Sequence, residues 1–499
     1  MSELLSLDEY RSLAAEVEIQ NAAHIDGSFH RCNGPAFDTL NPATGEKLTS
    51  LNMAGEAEVD LAVARAREAF DSGRWSRLHP AERKEVLIRL AKLIKRNRHE
   101  LAVIESLDSG KPIADCAAID IPETINTIIW HAEAIDKIYD DAAPVGADAI
   151  SVIEREPIGV VGAVLPWNFP LLMLAWKLGP ALAAGNSLIV KPAEQTPLSA
   201  LYLARLAATA GVPRGVFQVL PGDGPVTGQA IGLHSDIDMV SFTGSTETGK
   251  MFLSYAAQSN LKKVTLECGG KNPAIVMDDA EDMGAVAEHI ANGAFWNLGQ
   301  NCSATSRLIV HSSVKDELVD RLKDQLKEWR QGDPLDPANR LGVLVDEGHR
   351  GKVRACLDRA MAEGLPVLAG SASEDHCPVI MDVADKDNFL AVDEVFGPVL
   401  AVLTVNSMDE AVQIANRTEY GLAASLFTTN IKQAITAARN IRAGTVTVNS
   451  YGEGDITTPF GGYKQSGFGG RDNGLAAHDQ FTEMKTIWID LADRKPDNL

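Results

Sequence analysis

Gly159-Val-Val-Gly-Ala-Val-Leu165 opens a stretch in which short apolar runs alternate with helical ones. Ser187-Leu-Ile-Val190, Val216-Phe-Gln-Val-Leu220 and Met239-Val-Ser-Phe242 follow it, with the helical pattern Leu198 to Ala210 among them. Strands separated by helices pair in parallel through crossovers, so the alternation predicts βαβ units and a parallel sheet. A second series repeats the texture at Ala274-Ile-Val-Met277, Arg307-Leu-Ile-Val310, Val399 to Val405, Ala424 to Phe427 and Gly444-Thr-Val-Thr-Val-Asn449, with helices at Val314 to Trp329 and Met408 to Ala415 between strands. The fold class is therefore α/β with two domains, changing over near Cys268 to Lys271. Upstream, from about Glu56 to Asp108, apolar residues recur at helical spacing, in Val59 to Phe70 and Arg83 to Leu101.

Two segments stand outside both series. Val145 to Pro157 alternates like a strand with no crossover helix after it, and Lys485-Thr-Ile-Trp-Ile-Asp490 is a similar orphan. An exposed strand edge is a liability unless something pairs with it, and pairing with a second subunit is the expectation.

Length and charge narrow the function. A chain of 499 residues exceeds one hydrophobic core, and 45% hydrophobic with 23% charged residues is the composition of a globular protein. A net charge of −22 disfavours nucleic acid and anionic membrane surfaces as partners and mildly favours cationic small molecules. Leu171 to Val190 is apolar but holds Lys177, Pro180, Gly185 and Asn186, so it reads as a buried helix and strand, not a membrane span. The acidic start, Met1 to Tyr10, does not read as a signal peptide. Six cysteines without a C-x-x-C pair suggest neither a disulfide framework nor structural zinc, so a reduced, cytoplasmic protein without metal is expected.

The chemistry concentrates at Cys302, in Phe295-Trp-Asn-Leu-Gly-Gln-Asn-Cys-Ser-Ala304, and at Glu267, in Leu266-Glu-Cys-Gly-Gly-Lys271. A thiol is a strong nucleophile only as thiolate, with an ordinary pKa of about 8.5, so a nearby base is needed. Gly269, Gly270 and Gly299 would let backbone approach a reacting group. The alternative is an inert core cysteine. Phe242-Thr-Gly-Ser-Thr-Glu-Thr-Gly-Lys250 follows a strand and opens a helix, a phosphate-binding context near Gly244 and Ser245; Met251, where a nucleoside triphosphate loop needs Ser or Thr, argues against that class. Lys191 and Glu194 lie just past a strand, where an acidic group can bond ribose hydroxyls or merely sit in a solvated turn. In Leu165-Pro-Trp-Asn-Phe-Pro170 two prolines would hold Asn168 as an oxyanion donor or as a plain turn residue.

Taken together, Pro166-Trp-Asn-Phe-Pro170, Lys191-Pro-Ala-Glu194, Phe242-Thr-Gly-Ser245, Leu266 to Lys271, Gly299-Gln-Asn-Cys302, Glu394-Val-Phe-Gly-Pro398 and Pro459-Phe-Gly-Gly-Tyr-Lys464 resemble, in order and over nearly the whole chain, the aldehyde dehydrogenase superfamily. The resemblance implies two parallel-sheet, Rossmann-like domains plus a small antiparallel oligomerisation ribbon: residues 1–136 and 158–268 for NAD, 269–479 for catalysis, 137–157 and 480–499 for the ribbon of a homodimer or homotetramer. It implies Cys302 as nucleophile toward an aldehyde, Asn168 as oxyanion donor and Glu267 as the base that hydrolyses the thioester. For the cofactor it implies Lys191 and Glu194 at the adenine ribose, Pro166, Trp167, Phe242, Gly244 and Ser245 near the pyrophosphate, and Glu394 and Phe396 around the nicotinamide ribose. A carboxylate at Glu194 would repel a 2′-phosphate, so NAD is expected over NADP. Cys268, Asn301 and Asp472 depart from the common pattern, and Asp472 leaves a proton-relay role there in doubt.

Asp120 and Glu123 fall three apart at a predicted helix start, where they would share a face or simply cap the helix. In aminoaldehyde relatives the equivalent helix lines the substrate tunnel, so the resemblance favours acidic recognition of a cation, with Glu453 and Asp455 adding charge and Phe169, Trp176, Trp296 and Phe460 forming aromatic walls. The tail from Ser450 to Leu491 resembles bacterial γ-glutamyl-γ-aminobutyraldehyde and guanidinobutyraldehyde dehydrogenases, implying an ω-amino or guanidino aldehyde. Rival readings are a broad-specificity detoxifying enzyme and a non-catalytic, crystallin-like scaffold.

Overall fold

The computed structural model describes residues 4–373 and 377–492. Its first sheet has five parallel strands in the spatial order Lys263–Glu267, Met239–Thr243, Val160–Val164, Ser187–Lys191, Phe217–Val219. Val160–Val164 comes first in the chain yet lies in the middle. The chain steps outward to Ser187–Lys191 and Phe217–Val219, then returns to the other flank through Met239–Thr243. Where the strand order reverses, successive crossovers leave on opposite faces and open a crevice at the strands' carboxyl ends. Ala23–Ile25 and Ser28–His30 extend one edge antiparallel, and Gly467–Phe468 closes the other against Lys263–Glu267. This last strand lies within 269–479, so the stretch assigned to catalysis also completes the first sheet.

The central strands are buried at every residue, which explains their continuous apolar lettering. Leu171 to Val190 resolves into helix Pro170–Ala184, buried along its whole length, and strand Ser187–Lys191. Among the described residues no helix is long and apolar enough to cross a membrane. The second sheet runs Val379–Asp382, Val399–Val405, Arg307–His311, Pro273–Val276, Ala423–Phe427, Thr445–Val448, all parallel, with Val367–Gly370 antiparallel at one edge. Each sheet has its own apolar core. The predicted strands of both series and the helices Leu198–Ala210, Lys315–Lys327 and Met408–Asn416 are present.

One expectation is corrected. The helix read from Arg83 to Leu101 is two, Pro80–Arg96 and Arg98–Ser109, broken at Asn97, whose Nδ2 donates to the Leu93 carbonyl. The orphan strands pair with each other within the chain: Thr482–Asp490 runs antiparallel along Ala149–Pro157, which also takes Asp141–Ala143 on its far side. Among the described residues the outer edge of Thr482–Asp490 stays open, with Met484, Trp488 and Ile489 exposed. Residues 493–499 of the ribbon and 1–3 of the first stretch lie outside the described residues.

Candidate active site

The loops leaving Val160–Val164 and Met239–Thr243 flank the reversal point of the first sheet. Opposite them stand the segments that enter the second sheet: Cys302 ahead of Arg307, Glu394 to Phe396 ahead of Val399, and Leu422 ahead of Ala423. Between the two lies a cavity of about 440 Å³, lined by Pro166, Trp167, Asn168, Gly244, Ser245, Glu267, Cys302, Glu394 and Phe396, with Trp176 and Phe460 also in its wall. Its size is that of a small-molecule site. The first sheet contributes its carboxyl ends and the second its amino ends.

The backbone before the nucleophile is held in an uncommon shape. Asn297, Leu298 and Gly299 are all left-handed, at φ 50°, 53° and 69°. A Cβ on Gly299 would sit 2.2 Å from the Gly397 carbonyl, so only glycine fits. Such strain persists only where the surroundings over-determine it. Here side-chain amides do so: Asn297 Nδ2 donates to the carbonyls of Asn168 (3.1 Å) and Gln300 (3.2 Å), and Asn272 Nδ2 to those of Cys302 (2.8 Å) and Ala304 (3.0 Å). Asn168 gives one amide hydrogen to the Gln300 carbonyl at 3.1 Å and, among the described residues, has no acceptor for the other.

Burial pushes the Cys302 thiol well up, and the carboxylates of Glu453, Glu394 and Glu267 push it further, so the resting thiol is protonated. Glu267 ends its strand and is buried, with Oε2 lacking any hydrogen-bond partner. Burial, then the Asp472 charge, raises its carboxyl well above the ordinary range, while Lys177 and Arg471 oppose the shift. A Cβ on Gly461 would lie 2.4 Å from Glu267 Oε1, so glycine there leaves room for the carboxylate. A carboxyl whose proton affinity is raised in this way can take a proton and return it.

On the crevice side, Ser245 caps helix Thr246–Gln258, its Oγ accepting from Thr248 N–H at 3.2 Å, and the helix N-terminus lies at the cavity wall. Glu394 Oε1 accepts from Gly270 N–H at 2.8 Å, and burial pushes its carboxyl up to about 7. A Cβ on Gly269 would stand 2.1 Å from Glu394 Oε2. The Trp167 ring meets Phe396 at 5.3 Å and His349 at 5.0 Å between centroids, and His349 Nε2 bonds the Phe396 carbonyl at 2.8 Å. Lys191 is buried at the end of its strand, its Nζ bonding Glu194 at 3.2 Å. Phe242 is a correction: it lies in the core, 5.1 Å from the Phe252 ring, where its own ring would meet a Cβ on Gly244 at 2.6 Å. It shapes the loop from beneath and does not line the cavity.

The acidic residues are redistributed. Asp120 is fully buried and paired with Lys111 at 2.5 Å, so its charge is cancelled inside the protein. It is also not at a helix start: Ile113–Asp115, a π turn Cys116–Asp120 and Ile121–Ala134 form one helical run, with Pro122 following the π turn. Glu123 is exposed and accepts from Asn126 Nδ2 at 3.4 Å, so the two do not share a face. Asp455 is exposed in its loop, bonded to Thr457 N–H at 2.9 Å, and does not reach the site. Glu453 does. Its Oε1 accepts from the hydroxyl of Ser303, the residue after the nucleophile, at 2.5 Å, and among the described residues it forms no ion pair. Phe169, Trp176 and Phe460 form an apolar cluster against which Cys302 and Trp296 pack.

Three groups escape a reading of sequence. Lys177, inside the apolar helix, pairs with Asp472 at 2.6 Å beside Glu267. Lys111 lies 3.7 Å over the Phe169 ring. Asp115 takes the Trp296 indole N–H at 3.1 Å. A charged letter within an apolar run at Lys177 was the one available signal; nothing in the sequence pairs it with Asp472.

A thiol and a raised carboxyl at a crevice between two parallel sheets define the class, and comparison agrees: the aldehyde dehydrogenase family model matches residues 29–487, so the chain belongs to that family. It is 58% identical over 99% of its length to all of an aminoacetaldehyde dehydrogenase of Pseudomonas aeruginosa. Two solved structures superpose with TM-scores of 0.95, each 45% identical and covering 98% of this chain and 100% of its own: γ-glutamyl-γ-aminobutyraldehyde dehydrogenase from Burkholderia cenocepacia, and the P. syringae indole-3-acetaldehyde dehydrogenase AldA in complex with NAD+.

Proposed function

We propose that this aldehyde dehydrogenase oxidises a cationic ω-amino or guanidino aldehyde to the free carboxylic acid, with NAD preferred, in the cytoplasm. The observation that carries the substrate class is Glu453, which among the described residues forms no ion pair and is bonded to the neighbour of Cys302, itself packed against a cluster of aromatic rings. An ammonium reaching it gains a charge-assisted hydrogen bond and ring faces. The name of the 58% identical relative supports the same class.

The crevice suits a dinucleotide on its own terms: a capped helix N-terminus, glycines at 244 and 269 where a Cβ would clash, and a half-buried carboxylate at Glu394 for ribose hydroxyls. Pro166, Trp167, Gly244, Ser245, Glu394 and Phe396 would hold it, with Lys191 and Glu194 at the adenine ribose. Bound NAD supplies the hydride acceptor. The protein does the rest. Glu267 takes the thiol proton as Cys302 Sγ bonds the carbonyl carbon. The second Asn168 N–H and the Cys302 backbone N–H hold the resulting oxyanion. After hydride loss the acyl group remains on sulfur as a thioester; Glu267 gives the first proton up to solvent and then takes a proton from the water that displaces the thiolate. Buried Lys177 and Asp472 set the charge Glu267 feels. In this reading residues 1–136 and 158–268 bind cofactor, 269–479 supply the nucleophile, and the ribbon's open edge joins subunits. NADH formation from 4-aminobutanal and 3-aminopropanal against propanal, with NAD and NADP, tests the proposal; equal kcat/KM for all three aldehydes would favour a broad-specificity enzyme, and no turnover with any would favour a scaffold.

A further inference from the structure

One hydroxyl ties the residues on either side of Cys302. Asn301, where the chain departs from the common pattern, donates from Nδ2 to the Tyr451 hydroxyl at 2.9 Å, and the same hydroxyl bonds Ser303 Oγ at 3.2 Å. Asn301 Oδ1 closes the loop by accepting from the Ser303 N–H at 3.1 Å. An amide nitrogen only donates, so the tyrosine oxygen accepts from Asn301 and its proton goes to Ser303 Oγ, whose own proton goes to Glu453 Oε1 at 2.5 Å. The bonds thus run in one sense, from Asn301 through Tyr451 and Ser303 to the Glu453 carboxylate, and bonds so aligned strengthen one another. Asn301 and Ser303 are buried, so a partner lost there is not replaced from bulk solvent.

Tyr451 is itself held in place. It follows the edge strand Thr445–Val448 of the second sheet, and its N–H donates to His289 Nδ1 at 3.3 Å. Its ring fills the space left by Gly293 inside helix Met283–Phe295, where a Cβ would lie 2.9 Å from the ring. Glycine weakens a helix interior, and here it admits the tyrosine. The carboxylates of Glu453, Glu394 and Glu267 face the thiol and disfavour its ionisation, whereas the Ser303 N–H favours it. We propose that Tyr451 is a positioning residue for the nucleophile: its hydroxyl locks Asn301 to Ser303 and so keeps the Ser303 N–H beside Cys302 Sγ, supporting the thiolate as Glu267 takes the proton. The proposal goes beyond the substrate reading given above and rests on it only for Cys302 as nucleophile. Tyr451 governs reactivity, since a slower nucleophile slows every aldehyde alike, whereas Glu453 acts on cations.

The test uses the full-length enzyme. Y451F deletes the hydroxyl and keeps the ring against Gly293. Alkylation of Cys302 by iodoacetamide, followed by mass spectrometry, is expected to slow about tenfold at neutral pH, with its pH profile displaced upward by about one unit, because a thiolate that loses a donor forms at higher pH. The kcat/KM values for propanal and 4-aminobutanal should fall by the same factor, with KM for NAD unchanged. N301A breaks the same lock, so the fall in the double variant should stay well short of the product of the two single falls. Alkylation within about twofold of wild type in Y451F, a fall confined to 4-aminobutanal, or single falls that multiply in the double variant would each overturn the proposal. The nucleophile assignment fails separately, if wild-type enzyme fully alkylated at Cys302 still forms NADH.

Discussion

Replacing Glu453 by glutamine removes one charge and little else. Glutamine keeps the length of the side chain and an oxygen to accept the Ser303 hydroxyl, now 2.5 Å away, so the loop and the nucleophile's neighbour stay in place. Two opposite charges about 4 Å apart attract by roughly 4 kcal/mol at an effective dielectric constant of about 20. The ammonium gives up water to reach this site, so the net value is that of a hydrogen bond to a charged group, about 1.5–3 kcal/mol. With each 1.4 kcal/mol worth about tenfold, kcat/KM for 4-aminobutanal should fall about 10- to 100-fold in E453Q while that for propanal holds. The pH profile adds a second signature. Burial raises the Glu453 carboxyl, with the Ser303 hydroxyl and Lys111 opposing. It is neutral below its pKa and anionic above, so the preference for the amino aldehyde should decline as pH falls through a value above the ordinary carboxylate range. In E453Q the ratio of the two substrates should be flat with pH. NADH absorbance in steady state measures both, and taking the ratio cancels the titration of Glu267, which both substrates share. A wild-type to E453Q ratio within twofold for the two aldehydes would refute Glu453 as the cation's partner.

E267Q should slow the burst of about one NADH per Cys302 and lower the turnover that follows it, because thiol activation and thioester hydrolysis both lose their base; rapid-quench kinetics showing unchanged burst and steady-state rates would refute the assignment. K177M leaves Asp472 buried without its 2.6 Å partner and should lose about 3–5 kcal/mol in denaturant unfolding, whereas replacing both residues by apolar ones should recover most of it. It should also move the Glu267 limb of the activity profile to higher pH, since the cation that lowers its carboxyl is gone. E194S removes the carboxylate expected to repel a 2′-phosphate, so kcat/KM with NADP should rise relative to NAD; an unchanged ratio would place the selectivity elsewhere. G269A would put a Cβ 2.1 Å from Glu394 Oε2, and a KM for NAD raised with little change in melting temperature is the expected result.

Most strands of the two parallel sheets were legible because they are buried on both faces and read as short apolar runs, whereas Lys263–Glu267, with three polar letters in five, and Val379–Asp382 were not read as strands. The nucleophile and base were legible because motif order fixed them. What sequence could not supply was partnership across space. Asp120 and Glu123 look equivalent three residues apart, yet the π turn Cys116–Asp120 directs one inward to Lys111 and leaves the other in solvent. Helical periodicity assumes a regular repeat, so an irregular turn defeats it. Phe242 sits inside a cofactor motif and reads as a contact, although what the motif preserves there is the shape of Gly244. The orphan strands were each recognised, but the pairing between Ala149–Pro157 and Thr482–Asp490 spans most of the chain and leaves no local trace, so only the family resemblance put them in one ribbon.

Glu267 stands on an edge strand that is completed only when Gly467–Phe468 arrives from late in the chain. During synthesis, then, Lys263–Glu267 leaves the ribosome long before its outer neighbour exists. The growing polypeptide must carry an open strand edge through the translation of the whole second sheet. That interval is when the chain is most prone to aggregate and most in need of a chaperone. A truncation before Gly467 would make the interval permanent, costing solubility and the catalytic base together.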